Sequence, residues 1–284
     1  MTTNPADNAD QTAYWNSVAA RRWLDLDAKQ DVVFAPITDA LFARARLTTG
    51  ERVLDVGCGA GGTTIDIAGR VAPTGRAVGL DVSQPMLETA RRRTSADLPV
   101  AFILGDAATH VFAPGSFDAL VSRFGVMFFA DPIEAFANLR GALRHGGRAV
   151  FACWRAAKLN AWQMIPLRAA LRCVPRLPEI GPEDPGPFSF ADETRVRRVL
   201  DRAGFADVEV TAIDLEIDLA AGQGFESAMA TARSIGAASR AMEGQPEHER
   251  AAAIEAIRSA LAPHQRGPSV LLGAAIWIVE AVNP

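Results

Sequence analysis

The sequence predicts an α/β protein built on a mostly parallel sheet with helices on both faces. Three observations predict it. Between Arg52 and Trp154 short apolar runs alternate with helical segments, the pattern of parallel strands joined by crossover helices. The runs are continuously apolar, as strands buried on both faces must be. A chain of 284 residues, 49% hydrophobic and 22% charged, can bury such a sheet in one large domain or in a core carrying insertions.

After a polar tail from Met1 to Asp10, Ala9 to Leu24 reads as a helix whose large apolar residues are Tyr14, Trp15, Val18 and Trp23. Val32 to Arg46 reads as a second helix, with Val33, Phe34, Ile37, Leu41 and Phe42 at helical spacing. Thr48 to Glu51 makes a turn. Strands follow at Val53 to Val56, Ala77 to Leu80, Val100 to Leu104, Phe117 to Ser122 and Arg148 to Trp154. The helices between them run from Gly62 to Val71, from Gln84 to Arg93 behind an N-cap at Ser83, and from Asp131 to Leu143, stopped by Gly146-Gly147. Further on, Ala156 to Val174 reads as a helix and Pro175 to Pro187 as a proline-rich connection. Asp192 caps a helix to Ala203, ended by Gly204, and Val208 to Ile217 is a strand. Ala221 to Leu261 reads as two helices separated near Gly244-Gln-Pro246, and Ser269 to Val279 as a closing strand.

Composition narrows the function. A net charge of −4 argues against a partner recognised through its phosphate backbone, so no nucleic acid is expected. The cysteines Cys58, Cys153 and Cys173 fit no metal-ligand spacing, and no metal is expected. The first ten residues lack the basic start and apolar core of a secretion signal, and no apolar run is long enough to span a bilayer. These features predict a cytoplasmic protein.

The chemistry gathers at strand ends. Asp55-Val-Gly57-Cys-Gly59-Ala-Gly61 puts glycines on the turn after the first core strand, where a ligand of an open α/β sheet binds. Gly57-x-Gly59-x-x-Gly62 alone also satisfies the dinucleotide fingerprint, a weak signal. Its company separates the readings. Asp55 suits a cationic amino-acid moiety, Asp81 is placed for two ribose hydroxyls, and Asp106, in Gly105-Asp-Ala107, for an adenine amine. Each has a plainer alternative: Asp55 as a cap for loop amides, Asp81 as a helix-start residue.

At these residues the sequence resembles the class I S-adenosylmethionine (SAM)-dependent methyltransferases, in the ubiquinone/menaquinone-methyltransferase-like group (types 11 and 25). The resemblance runs from about Gln11 to Trp154. It rests on Val-Leu-Asp-Val-Gly-Cys-Gly-Ala-Gly at 53–61, Gly-Leu-Asp-Val-Ser-Gln-Pro-Met-Leu at 79–87, Gly-Asp-Ala at 105–107 and Phe-Asp-Ala-Leu-Val-Ser at 117–122. Leu-Arg-His-Gly-Gly-Arg at 143–148 departs from the pattern, with His145 where proline is usual. The resemblance implies a Rossmann-like seven-stranded mixed sheet in the order 3-2-1-4-5-7-6, the last strand antiparallel, with helical lid insertions. It implies residues 1–50 capping the cofactor site, 51–154 as the SAM-binding core and 155–190 as a lid insertion. Residues 191–217 and 269–284 would complete the sheet, and 218–268 would lie over the active-site face. It also implies SAM as cofactor, S-adenosylhomocysteine (SAH) as product, and cofactor contacts at Tyr14, Trp23, Asp55, Gly57, Cys58, Gly59, Gly61, Asp81, Val82, Met86, Gly105, Asp106, Ala107, Ser122, Arg123 and Phe124.

The substrate side is less legible. Methyl transfer needs an in-line nucleophile and a dry pocket, and a base only where the nucleophile is protonated at working pH. Met127, Phe128, Trp154, Trp162 and Arg266 are the pocket candidates. His264 and Arg123 are the catalytic ones, with plain loop residue and structural ion pair as their alternatives. Met164, Phe188, Phe190, Phe225, Met229 and Ile235 offer lid surface. His110 falls near the adenine end or on the surface, and His145 and His248 away from the site. The expected partner is a small-molecule substrate, of a secondary-metabolite or quinone-like kind, and a homodimer is compatible with the sequence. An NAD-dependent oxidoreductase and a SAM-binding protein without catalysis stay open as rivals at this point.

Overall fold

The computed structural model describes residues 9–26, 28–178 and 181–284. The expected polar tail falls largely outside them, as do the side chain of Val18 and residues 179–180 of the proline-rich connection. The sheet forms in the expected order. β1 (Arg52–Val56), β2 (Arg76–Asp81), β3 (Val100–Leu104), β4 (Phe117–Arg123) and β5 (Leu143–Trp154) run parallel. β6 (Ala206–Asp218) and β8 (Ser269–Val282) close it, giving β3-β2-β1-β4-β5-β8-β6 with β8 antiparallel to both neighbours. The eighth strand is β7 (Gln265–Arg266), two residues that fold back on the start of β8.

Strand alternation separates the helical layers. On β5 the Arg148 guanidinium reaches the carbonyl of Ala45, at the end of α4 (Ala35–Ala45). Phe151, an odd number of residues on, meets Phe136 of α7 (Pro132–Ala142) at 5.4 Å. Even and odd residues of one strand face opposite ways, so α4 and α7 cover opposite faces. β1 is buried from Val53 to Val56, as a central parallel strand should be.

The loop-to-helix junctions follow local chemistry. α5 (Gly62–Val71) and α6 (Gln84–Arg93) match their expected bounds, and Pro85 sits in the first turn of α6. Ser83 precedes α6 but does not cap it: its hydroxyl bonds to the carbonyl of Trp15 instead. Asp131 caps α7 by accepting from the amides of Ile133 and Glu134, and Asp192 caps α9 (Glu193–Arg202) through Thr194.

Elsewhere the elements are more broken than their hydrophobic spacing predicts. The first expected helix is two, α1 (Ala9–Trp15) and α2 (Val18–Leu24), because the side chain of Asn16 turns onto the β2–α6 loop, donating to Val82 O and accepting from Gln84 N. The second is α3 (Ala28–Val33) and α4, separated by Phe34. Gly146-Gly147 does not end α7. The chain passes from Ala142 straight into β5, and the glycines lie in a bulge of that strand, with Gly146 at φ 71. The stretch from Ala156 becomes a short 3₁₀ turn and then α8 (Ala161–Ala170). Three helices rather than two fill residues 225–261: α10 (Phe225–Ser234), α11 (Ala237–Ala241) and α12 (Glu247–Leu261). Gly236, at φ 85, makes the extra break.

Asp131→Ala strips the cap from α7 and leaves two amides unpartnered. It should cost about 1 kcal/mol of stability, read as a lowered midpoint in urea unfolding with an unchanged slope.

Candidate active site

The parallel strands end on one edge of the sheet, and the loops beyond them enclose a cavity. Its base is the turn after β1. Gly57 and Gly59 hold φ 68 and 55, left-handed values that glycine adopts freely. A Cβ on Gly57 would stand 2.6 Å from the Gly125 Cα, so two loops meet backbone to backbone there. A Cβ on Gly59 would meet nothing within 4 Å, which leaves that stretch of backbone open to a ligand. Ser122 joins the same two loops: its hydroxyl donates to Val56 O at 2.7 Å and accepts from Gly125 N at 3.2 Å.

Acidic side chains border this cavity. Asp81, ending β2, accepts from Gly59 N at 2.7 Å and from Ser83 N at 2.9 Å. Burial raises its carboxyl above the usual range, against the lowering effect of these amides. A carboxylate accepts about four hydrogen bonds, so two amides leave capacity for two hydroxyls. Asp106 also lines the cavity and accepts from Ala108 N. Gly57, Val82, Met86, Gly105 and Ala107 lie along the same wall, and Trp23, Arg123 and Phe124 on the remaining sides.

Five of the expected cofactor residues stand elsewhere. Asp55 is fully buried beneath the loop, where it accepts from the Thr64 hydroxyl at 2.6 Å on the first turn of α5. Its second oxygen has no partner. Cys58 packs its sulfur against Gly79, whose Cβ would lie 2.8 Å away, and burial beside Asp81 and Asp55 pushes its thiol well up. Gly61 is the turn before α5, pressed against Ala90 of α6. Ser122 is the stitch already described. Tyr14 belongs to the neighbouring cavity.

Sequence reasoning missed Gln11, Val56, Leu80, Gly125 and Phe129 among the residues lining this cavity. Trp15, a large apolar residue of the first expected helix, also lines the cavity. Gly125 carried a signal, since a glycine one residue beyond the fourth strand's final aromatic allows the approach to Gly57. The others are ordinary apolar or amide residues whose position depends on tertiary packing.

Arg123 realises its structural alternative. It donates to Thr38 at 2.7 Å and pairs with Asp31 at 3.2 Å, beneath the ring of Phe34. Asp31 also takes Arg93, and its carboxylate lies over the start of α5, 2.3 Å from where a Cβ on Gly62 would be. An acid there complements the positive end of the helix.

A second, larger cavity of about 420 Å³ adjoins the first. Gln11, Trp15, Trp23, Phe124 and Phe128 line both. Phe124 sits at φ 73, unusual for a bulky residue, and its ring stacks on Trp154 at 4.2 Å. Met127, Trp154 and Trp162 from the pocket candidates and Phe188 and Ile235 from the lid candidates lie around the larger space. Arg266 does not: the β7–β8 turn pairs it with Ser269 and leaves it exposed. His264, one step before β7, lines neither cavity, and the same short turn ties it away from both. Phe190 is core, packed on Phe136 and Phe151, and Phe225 lies under Arg258. Met164 and Met229 line neither space, and Met229 is fully buried. His110 packs on Phe112 with Nδ1 3.1 Å from a Cβ built on Gly105.

Burial pushes the Asp55 carboxyl up to about 6, with Asp81 adding to it and Thr64 and Arg123 opposing. Below about pH 4 folded and unfolded chains both carry this group protonated. As pH rises to about 6 the folded state alone keeps the proton, so this carboxyl subtracts stability, on the order of 3 kcal/mol once ionised. Asp55→Asn keeps an acceptor for Thr64 and does not titrate. Its stability relative to the native chain should therefore rise between about pH 4 and pH 7.5, measured by urea unfolding at both. A pH-independent difference would contradict the burial of this acid.

Comparison with known proteins agrees with this geometry. Residues 53–147 match the family described as a methyltransferase domain. Nocamycin O-methyltransferase of Saccharothrix syringae is 31% identical over 201 residues, 67% of this chain and 72% of that enzyme. Aklanonic acid methyltransferase DauC of Streptomyces sp. (strain C5) is 36% identical over 120 residues, 42% of this chain and 54% of its own. Two of the shorter matches thus span only 31% and 54% of the relatives that carry them. In fold, the crystal structure of the YcgJ protein from Bacillus subtilis superposes with a TM-score of 0.57 at 16% identity, covering 87% of this chain and 98% of that one. With the glycine turn, the strand-end acids and a relative matched over most of its length, the chain belongs to the class I SAM-dependent methyltransferase family.

Proposed function

We propose that the protein transfers a methyl group from SAM to an oxygen, nitrogen or carbon atom of a small-molecule metabolite, leaving SAH. One observation carries the reading: a cleft bordered by acids shares a wall of uncharged side chains with a larger, mainly apolar cavity. The relatives named for nocamycin and aklanonic acid support a metabolite as acceptor.

The residues present fit the cofactor. Gly59 leaves its backbone open, Asp81 retains acceptor capacity for the ribose hydroxyls, and Asp106 is placed for the adenine amine. Met86 supplies apolar surface. When bound, SAM supplies an electrophilic methyl group on a cationic sulfur, and a site edged by Asp81 and Asp106 favours that charge.

The chain's own contribution is position and dryness. Gln11, Trp15, Trp23, Phe124 and Phe128, the residues common to both cavities, carry no titratable group. None of the four histidines lines either space, and the Cys153 thiol is buried and pushed far up. Among the described residues none at the junction is a general base, and on this reading the acceptor atom arrives with an available lone pair, ionised or neutral. The aromatic wall excludes water from the transfer. Among the described residues no helix is long and apolar enough to cross a membrane, and a cytoplasmic site of action belongs to this reading.

Asp81→Ala should weaken SAH binding at least tenfold in isothermal titration, since each charge-assisted hydrogen bond is worth about 1.5–3 kcal/mol. Asp81→Asn, which keeps an acceptor for Gly59, should lose less. Native affinity in both variants would refute the ribose assignment. Incubation with SAM and a metabolite extract should yield a product heavier by one methylene; SAH binding without any such product would identify a non-catalytic binder.

A further inference from the structure

The larger cavity carries chemistry of its own. Its walls are aromatic on several elements: Trp23 from α2, Phe34 from the α3–α4 junction, Trp154 from β5 and Trp162 from α8. Trp154 and Trp162 lie 5.1 Å apart, and Phe34 meets Trp162 edge-on at 5.6 Å. Such surfaces present ring faces and edges to a guest, which favours another ring system over a flexible chain.

Several polar residues interrupt this apolar lining, Trp162 and Arg240 among them. Trp162 is 5% exposed, and its indole Nε1, a donor only, is buried with no partner. A buried donor of this kind calls for an acceptor. The second is Arg240, half-buried on α11. Its neighbour Arg22 is neutralised by Glu243 at 3.1 Å, but no ion pair among the described residues involves Arg240. The acidic lining residue Asp184 is turned onto the Gly181 amide at 2.8 Å. The cavity thus offers the ring surface of Trp162, whose N–H is sealed from it, and an unpaired guanidinium, the group best suited to a carboxylate.

We infer that this cavity takes a flat aromatic carboxylic acid, its rings among the tryptophans and its carboxylate on Arg240. The inference deepens the methyl-transfer reading by naming its substrate class. A carboxylate on Arg240 is held in the larger cavity, which Arg240 lines beside Tyr14.

The probe is anthraquinone-2-carboxylate, with its methyl ester as the neutral control, each titrated calorimetrically into the SAH-loaded protein. The acid should bind at least tenfold more tightly than the ester, one charge-assisted pair in affinity. Arg240→Gln should remove that advantage and leave the ester's affinity unchanged. Trp162→Ala, which removes a ring from the wall, should weaken acid and ester alike. SAH affinity should hold in both variants and serves as the control for folding. Equal binding of acid and ester to the native protein, acid affinity indifferent to Arg240→Gln, or binding of SAH with neither probe bound would overturn the inference. Loss of SAH binding in the native protein, with the acid still bound when SAH is left out, would instead sink the methyl-transfer reading and leave this one standing.

Discussion

The site depends on a contact between two glycines. Gly57 and Gly125 bring the loops after β1 and β4 so close that a methyl group on either would meet backbone within 2.6 Å. Ser122 fixes the approach from the side, bridging Val56 O and Gly125 N. With the loops pinned, the turn from Gly57 to Gly61 lies open along the strand ends, and Phe124 is driven into its left-handed conformation at the next step of the chain. Strain of this sort persists only where the surroundings over-determine it. Here the Phe124 amide bonds to Ala152 O and the ring stacks on Trp154. One close approach therefore sets both the open edge of the cofactor cleft and an aromatic plate of the wall between the cavities.

The N-terminal helices are fastened to the same region by polar contacts. Asn16 exchanges hydrogen bonds with Val82 and Gln84, and Ser83 reaches Trp15 O. Asp31 gathers Arg93 and Arg123 over the start of α5. These bonds attach α1 to α3 to the loops that hold Asp81 and Phe124. The result is a cover that brings Trp15 and Trp23 to the cavities and is anchored by polar contacts.

Where one local cause decides a feature, the residues announced it. The bounds of α5 and α6, the cap at Asp192 and the strand-end positions of Asp81 and Asp106 were legible because each rests on a turn, a cap or a continuous apolar run, while the strand order followed from the family resemblance. Features set by a distant partner were not. Nothing near Asn16 says that its side chain will break a helix to meet a loop about seventy positions on. Hydrophobic spacing across Gly236 reads as one helix, yet the backbone turns there. Asp55 was legible as a strand-end acid but not as one facing inward to Thr64, since a strand's alternation can be read from sequence only where its two faces differ, and β1 is buried on both.

The same reasoning explains why the cofactor half could be read and the acceptor half could not. The cleft is built from turns immediately following strands, so its chemistry lies in short motifs. The larger cavity draws Trp23, Phe34, Trp154, Trp162 and Arg240 from positions over two hundred residues apart. In sequence, Trp162 is an apolar residue of a helix and Arg240 a surface cation. Only assembly makes them a buried donor without an acceptor and a cation without a counter-charge. Arg240 calls for an anionic guest, and the rings around it for a flat one. A cation left unpaired among aromatic side chains drawn from distant elements is what general apolar packing would not produce.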